Sequence, residues 1–114
     1  MATKELTELT SSAVINGLAA LAHETRLTLF RQLVRHGRDG ESAGELARGL
    51  NIPPQTLSFH LKEMTHAGLL RPRREGRYVY YAVDFDYASR LVAYLSDSCC
   101  ADDGPDPING GQRP

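Results

Sequence analysis

The 114 residues predict a mainly α-helical domain with one small β-hairpin. Three observations lead there. Apolar residues recur at three- and four-residue spacing through most of the chain, as helices with one buried face require. Residues 54–67 carry that pattern in Leu57, Leu61 and Met64, leaving Gln55, Thr56, Ser58, His60 and Lys62 mostly on the remaining surface. Directly after Gly68 the spacing changes to two extended runs, Leu69 to about Arg74 and Arg77 to Val83, around a Glu75-Gly76 turn. A short capped helix, a second helix and then a hairpin crowded with arginine is how a winged helix-turn-helix reads in one dimension.

Residues 1–10 are polar and are expected to form a flexible N-terminus. A first helix is expected from Ser11 or Ser12 to about Leu21, with Val14, Leu18 and Leu21 along one side. The run Ala22 to Val34 places Leu27, Phe30, Leu33 and Val34 on one stripe and predicts a core helix, which Gly37-Arg38-Asp39-Gly40 breaks. Ser42-Ala43-Gly44-Glu45 has the spacing of a capping box and opens a short helix to about Leu50. Asn51 supplies a capping oxygen for the next helix, about Pro54 to Ala67, and proline suits its first turn, where the missing N–H has no helical partner. Gly68 ends it by accepting a left-handed backbone. The return strand Arg77 to Val83 is β-branched and aromatic. A last helix is expected from Asp84 to about Asp97, with Leu91, Val92 and Leu95 apolar and Tyr87 and Tyr94 one helical face apart. From Ala101 onward Gly, Pro and Asp dominate, and no packed structure is expected. The domain is therefore placed at residues 11–98, and 99–114 as a flexible acidic tail that bears both cysteines.

One domain fits the length, since single domains commonly take ~100–200 residues. Roughly 85 residues remain between the tails, and so small a core gains from burial in a homodimer. The last helix has more apolar surface than a lone terminal helix can hide; pairing with the first helix and with a second subunit would cover it. No apolar run approaches the ~18 residues of a membrane span and no signal-peptide pattern opens the chain, so a cytoplasmic protein without a membrane partner is expected. The formal net charge is −1, but it is unevenly spread. Residues 54–83 hold Lys62, Arg71, Arg73, Arg74 and Arg77 against Glu63 and Glu75, while Asp97, Asp102, Asp103 and Asp106 collect near the C-terminal end. The basic part coincides with the hairpin, where phosphate would be met.

A helix of this kind fits the major groove of double-stranded DNA, and two related by a dyad would reach half-sites ~34 Å apart or a multiple of it. Gln55, Thr56, Ser58 and His60 are the candidates for groove contacts, with Lys62 placed toward phosphate. Arg73, Arg74 and Arg77 are the candidates for gripping the backbone or minor groove. Arginines in a hairpin can also merely keep a sheet edge soluble, but the helix-turn-helix beside them favours DNA. His60 and His66 are read as ordinary helix histidines, not metal ligands.

In these residues the chain resembles the ArsR family of bacterial metalloregulatory repressors, across about residues 14–97. The resemblance is carried by Ala20 to Leu27 (ALAHETRL), by Leu57 to Leu70 (LSFHLKEMTHAGLL) and by the wing Arg73 to Tyr81 (RREGRYVYY). It implies a homodimer that binds an imperfect inverted repeat in its own promoter and represses transcription until an inducer ion releases it.

The two cysteines are adjacent, Cys99-Cys100, just past the expected last helix. Thiolates are the soft ligands that thiophilic ions select, and neighbouring thiols can chelate one trivalent arsenic or antimony centre. Side chains of neighbours on an ideal helix point ~100° apart, so closing on one ion should require a frayed or unwound helix end. Departures from the family narrow the inducer. Some arsenic sensors of the family carry cysteines in the helix before the recognition helix, and Glu41 to Ala47 has none. Its zinc and cobalt sensors use Asp and His along the last helix, whereas Asp84, Asp86 and Asp97 occur here with no histidine after His66; no zinc is expected. Cadmium and lead sensors also use N-terminal cysteines, and residues 1–98 contain none. The resemblance that remains is to members sensing through a vicinal pair at the end of the last helix, with arsenite, a methylated trivalent arsenical or antimonite as inducer. Thiol redox sensing is the alternative at the same residues.

Catalysis is not expected. The chain has no nucleotide-binding Gly loop and no metal-ligand cluster, and His23, His36, His60 and His66 all precede the cysteines by a long interval. A winged helix that binds another protein through the same surface is the remaining alternative; specific binding to an inverted repeat would separate the two, because nonspecific DNA association is weak and strongly salt-dependent.

Overall fold

The first helix, α1 (Ser11–Leu21), begins at Thr10, whose hydroxyl accepts from the Ala13 amide at 3.1 Å. The computed structural model describes residues 8–97. The buried stripe of α1 is Val14, Gly17 and Ala20, and Leu18 is exposed, which corrects the stripe read from the sequence. The cause lies in a distant partner. Tyr87 crosses α1 at Gly17, where any Cβ would collide with its ring and hydroxyl, and donates to the Ala13 carbonyl at 2.7 Å. Helix α2 (Glu24–His36) buries Leu29 and Leu33, with Phe30 half-buried beside them. Leu33 and Phe30 of the expected stripe thus face the core, whereas Leu27 and Val34 are exposed and Leu29 is buried in their place.

After a 3-10 turn, Gly37–Asp39, the backbone passes Gly40 at φ +70, where a Cβ would run into the Tyr81 carbonyl. That close approach lets Glu41–Ser42 form a two-residue strand, β1, which no sequence signal had announced. Gln32 donates to the Glu41 carboxylate at 3.2 Å and His36 reaches the same oxygen at 3.0 Å, tying β1 to α2. Helix α3 (Ala43–Leu50) opens as expected, with Ser42 accepting from the Glu45 amide at 3.3 Å. The Glu45 carboxylate turns to Arg48 at 2.6 Å, so only half of the capping box is used.

Helix α4 (Pro54–His66) follows. Asn51 does not cap it: Asn51 closes α3 in the left-handed conformation, φ 54 and ψ 47, and Pro53 precedes α4 with no side-chain cap. Asn tolerates that conformation better than most residues, which explains its place at the joint. Gly68, at φ +95, turns the chain out of α4. Strands β2 (Leu70–Glu75) and β3 (Tyr78–Val83) pair antiparallel from Leu70 opposite Val83 to Glu75 opposite Tyr78. The turn is thus Gly76-Arg77, one residue later than expected, with Gly76 at φ +65 as a two-residue hairpin turn demands. β1 pairs with β3 on its other side, giving the sheet order β1-β3-β2. Helix α5 (Phe85–Ser96) starts at Asp84, whose carboxylate accepts from the Tyr87 amide at 3.0 Å.

Leu29, Leu33, Leu46, Leu57, Leu61, Met64 and Leu69 are the largest fully buried side chains, so α2, α3, α4 and the base of the hairpin share one core. This is a winged helix-turn-helix: α3 and α4 are the paired helices, and β2 and β3 are the wing. No helix among the described residues is long and apolar enough to cross a membrane.

Candidate nucleic-acid interface

Helix α4 turns Leu57, His60, Leu61 and Met64 inward. At ~100° per residue, the line opposite these is Gln55, Phe59 and Lys62, with Thr56 and Ser58 on its flanks. All five are exposed. The expectation that His60 belongs to the open polar face is corrected: it is only 7% exposed. Its Nδ1 accepts from Arg26 Nε at 3.0 Å, and its ring centre lies 4.8 Å from that of His23. Burial first, and then the Arg26 guanidinium and the neighbouring His23, hold the His60 imidazole below its ordinary pKa. A neutral imidazole is what an accepting Nδ1 requires.

Phe59 was not among the contact candidates read from the sequence, nor was Arg26. The Arg26 guanidinium lies 5.6 Å from the Phe59 ring centre while its Nε bonds His60, and the His60 ring meets Phe59 edge-on at 5.7 Å. An available signal was the spacing of Gln55, Phe59 and Lys62, which puts an aromatic ring in the middle of an otherwise polar line. The link to Arg26, 34 residues from His60, had no local signal.

The wing divides its arginines by strand alternation. Arg71 and Arg73 share a face with Ala82 and Tyr80; Arg74 shares the other with Val79, Tyr81 and the buried pair Leu70 and Val83. Arg73 is occupied, bonding Glu75 at 2.8 Å and the Asp39 carbonyl at 3.3 Å with its guanidinium 5.0 Å from the Tyr80 ring centre. Arg71 lies 3.8 Å from Asp84. Arg74 and Arg77 are exposed, and among the described residues their guanidinium groups have no acidic partner. Tyr81 lines a shallow groove with Gln55, Ser58, Phe59 and Lys62, so the open face of α4 continues onto the wing face that carries Arg74.

A second surface has the opposite character. Ile15 and Leu18 of α1 and Val92, Tyr94 and Leu95 of α5 are all exposed, Val92 by 65% and Leu95 by 59%. Ser11 and Tyr94 are joined by a 3.4 Å hydroxyl contact, which with the Tyr87 bond holds α5 against α1. Among the described residues no three of His, Cys, Asp and Glu gather where one metal ion could bind them. Cys99 and Cys100 lie outside the described residues.

Known proteins resemble this arrangement in sequence and in fold. Residues 21–73 match the helix-turn-helix domain family. The biofilm growth-associated repressor of Agrobacterium fabrum is 39% identical over 85 residues, spanning 74% of this chain and 69% of its own. Among solved structures, an ArsR-like transcriptional regulator from Rhodococcus superposes with a TM-score of 0.66 at 27% identity, covering 75% of this chain and 77% of that one. A protein described as a "possible transcriptional regulator for arsenical resistance" superposes at 0.62 with 30% identity, over 71% of this chain and 81% of the other.

Proposed function

Since the chain belongs to the ArsR-like helix-turn-helix transcriptional regulators, we propose that it is a homodimeric repressor of an inverted-repeat operator, released when Cys99 and Cys100 capture trivalent arsenic. A DNA-binding transcriptional repressor, not an enzyme, is the activity of the family. The observation that carries the DNA half is the groove that joins Gln55, Ser58 and Lys62 on α4 to Tyr81 on the wing face that bears Arg74, with Arg77 exposed in the hairpin turn: a major-groove helix beside a cationic hairpin. Thr56 extends that surface on one flank. Arg73, already held by Glu75 and Tyr80, contributes less. The exposed apolar surface of α1 and α5 supports the homodimer, because covering it with a second copy would pair two recognition helices about a dyad.

The sensing half rests on thiol chemistry. Cys99 and Cys100 are adjacent soft donors three and four residues beyond Ser96, the last residue of α5. Arsenite favours three sulfur ligands; a small-molecule thiol, hydroxide or a cysteine of the second copy would complete the set. A methylated trivalent arsenical already carries a carbon and needs only two thiolates, and antimonite follows arsenite. The solved relative described for arsenical resistance supports the same reading. Chelation next to α5 would change how the two copies pack and move the recognition helices off their half-sites; a few kcal/mol of differential affinity is enough to switch the population.

The test is fluorescence anisotropy on the protein's own upstream DNA, with arsenite or a methylated trivalent arsenical added under reducing conditions. Release at micromolar arsenical is expected, and Cys99→Ser or Cys100→Ser should abolish release while leaving DNA affinity intact. Release that persists in both variants would reject the thiol site. Release by oxidant alone would make the pair a redox sensor.

A further inference from the structure

We infer that Phe59 reads DNA sequence by placing its ring against the 5-methyl group of a thymine in the major groove, with Arg26 as the positioning residue that holds the ring. This rests on the proposed DNA binding and specifies how one base is chosen. The ring is 56% exposed at the centre of the open line of α4, between Gln55 one turn before and Lys62 one turn after. An exposed aromatic there gains most from an apolar partner, and the thymine methyl is the apolar group that base pairs present in the major groove. Gln55 complements it, since a glutamine amide can pair with both N6 and N7 of adenine. The geometry therefore points to A·T pairs beneath this part of α4.

The ring is also held from behind. The Arg26 guanidinium lies 5.6 Å from its centre and the edge-on His60 ring 5.7 Å away. Arg26 is itself fixed by its 3.0 Å bond to His60 Nδ1. A ring already oriented loses less side-chain entropy when it meets a base.

The experiment replaces thymines of the upstream DNA with deoxyuridine, one position at a time, which removes the methyl group and leaves pairing unchanged. With wild-type protein, one position per half-site should lose affinity about four-fold, and both together about fifteen-fold, from ~0.8 kcal/mol per buried carbon. Phe59→Ala should bind the thymine DNA more weakly by a similar factor and make no distinction between thymine and deoxyuridine. Phe59→Leu, which keeps an apolar side chain, should keep part of the distinction. Arg26→Met should reduce it while leaving the salt dependence of binding unchanged. The same thymine preference in wild type and Phe59→Ala, on DNA that both bind specifically, would overturn the inference and leave the proposed function standing. Failure of wild type to prefer its upstream DNA over an unrelated duplex would remove both.

Discussion

The α4–wing surface and the α1–α5 surface are both open to solvent, yet their chemistry is opposed. On the first, Gln55, Ser58 and Lys62 line a groove with the Phe59 ring, and Arg74 and Arg77 stand exposed on the wing; on the second, the exposed side chains Ile15, Leu18, Val92 and Leu95 are aliphatic. The first suits a polyanion with base edges, the second another apolar surface. The helices bearing them differ behind the surface as well. Helix α4 is anchored by three fully buried side chains and the His60–Arg26 bond, whereas α5 buries Leu91, packs Phe85, Tyr87 and Ala88 partly against the core and bonds α1 through Tyr87. The more deeply buried helix suits contacts that must be placed accurately.

The two surfaces differ in role only if the apolar one is an interface. Val92→Glu with Leu95→Glu should give monomers in sedimentation velocity and lower affinity for a two-half-site operator by at least ~100-fold, since the second half-site no longer gains from linkage to the first. A variant that stays dimeric would remove the distinction between the surfaces. A smaller effect sharpens the cationic side. Arg74→Ala and Arg77→Ala should each reduce the slope of log K against log salt by ~1, evenly across DNA sequences, and Arg73→Ala should change it less. Equal slopes for all three would mean that the Glu75 and Tyr80 contacts of Arg73 are given up on DNA. On the α1–α5 side, Tyr87→Phe removes the bond to the Ala13 carbonyl and should cost ~1 kcal/mol in urea unfolding.

The smallest effect is that of pH on the anchor of α4. His60 has a folded-state pKa lowered from 6.5, so the unfolded chain binds the proton more readily. The stability it contributes is fully present above about pH 6.5 and is lost as pH falls through its folded pKa. Unfolding midpoints should therefore rise with pH across that window, and His60→Gln should flatten the rise. An unchanged profile would show that the imidazole is not the group responsible.

Much of this was legible in the sequence. Ser42 and Asp84 cap the helices they were expected to begin or adjoin, and the hairpin follows α4 as its composition demanded. Two of the differences share a cause. Val14, Gly17 and Ala20 face inward because Tyr87 packs over a glycine, and β1 exists because Gly40 lets the chain approach Tyr81; both depend on partners more than 40 residues away. His60 was read by polarity, though its angular position beside Leu57 and Leu61 on the helix already placed it inward. Asn51 was read as the start of α4 when the same residue type also closes helices. Cys99 and Cys100 fall outside the described residues.

The proposed activity requires the α4–wing surface to recognise particular DNA. Anisotropy titrations on the labelled upstream DNA and on a scrambled duplex of equal length, at several salt concentrations, test it most directly. The expected result is a preference of at least ~10³-fold for the upstream DNA at physiological salt. Equal affinity for both duplexes, falling together as salt rises, would contradict it.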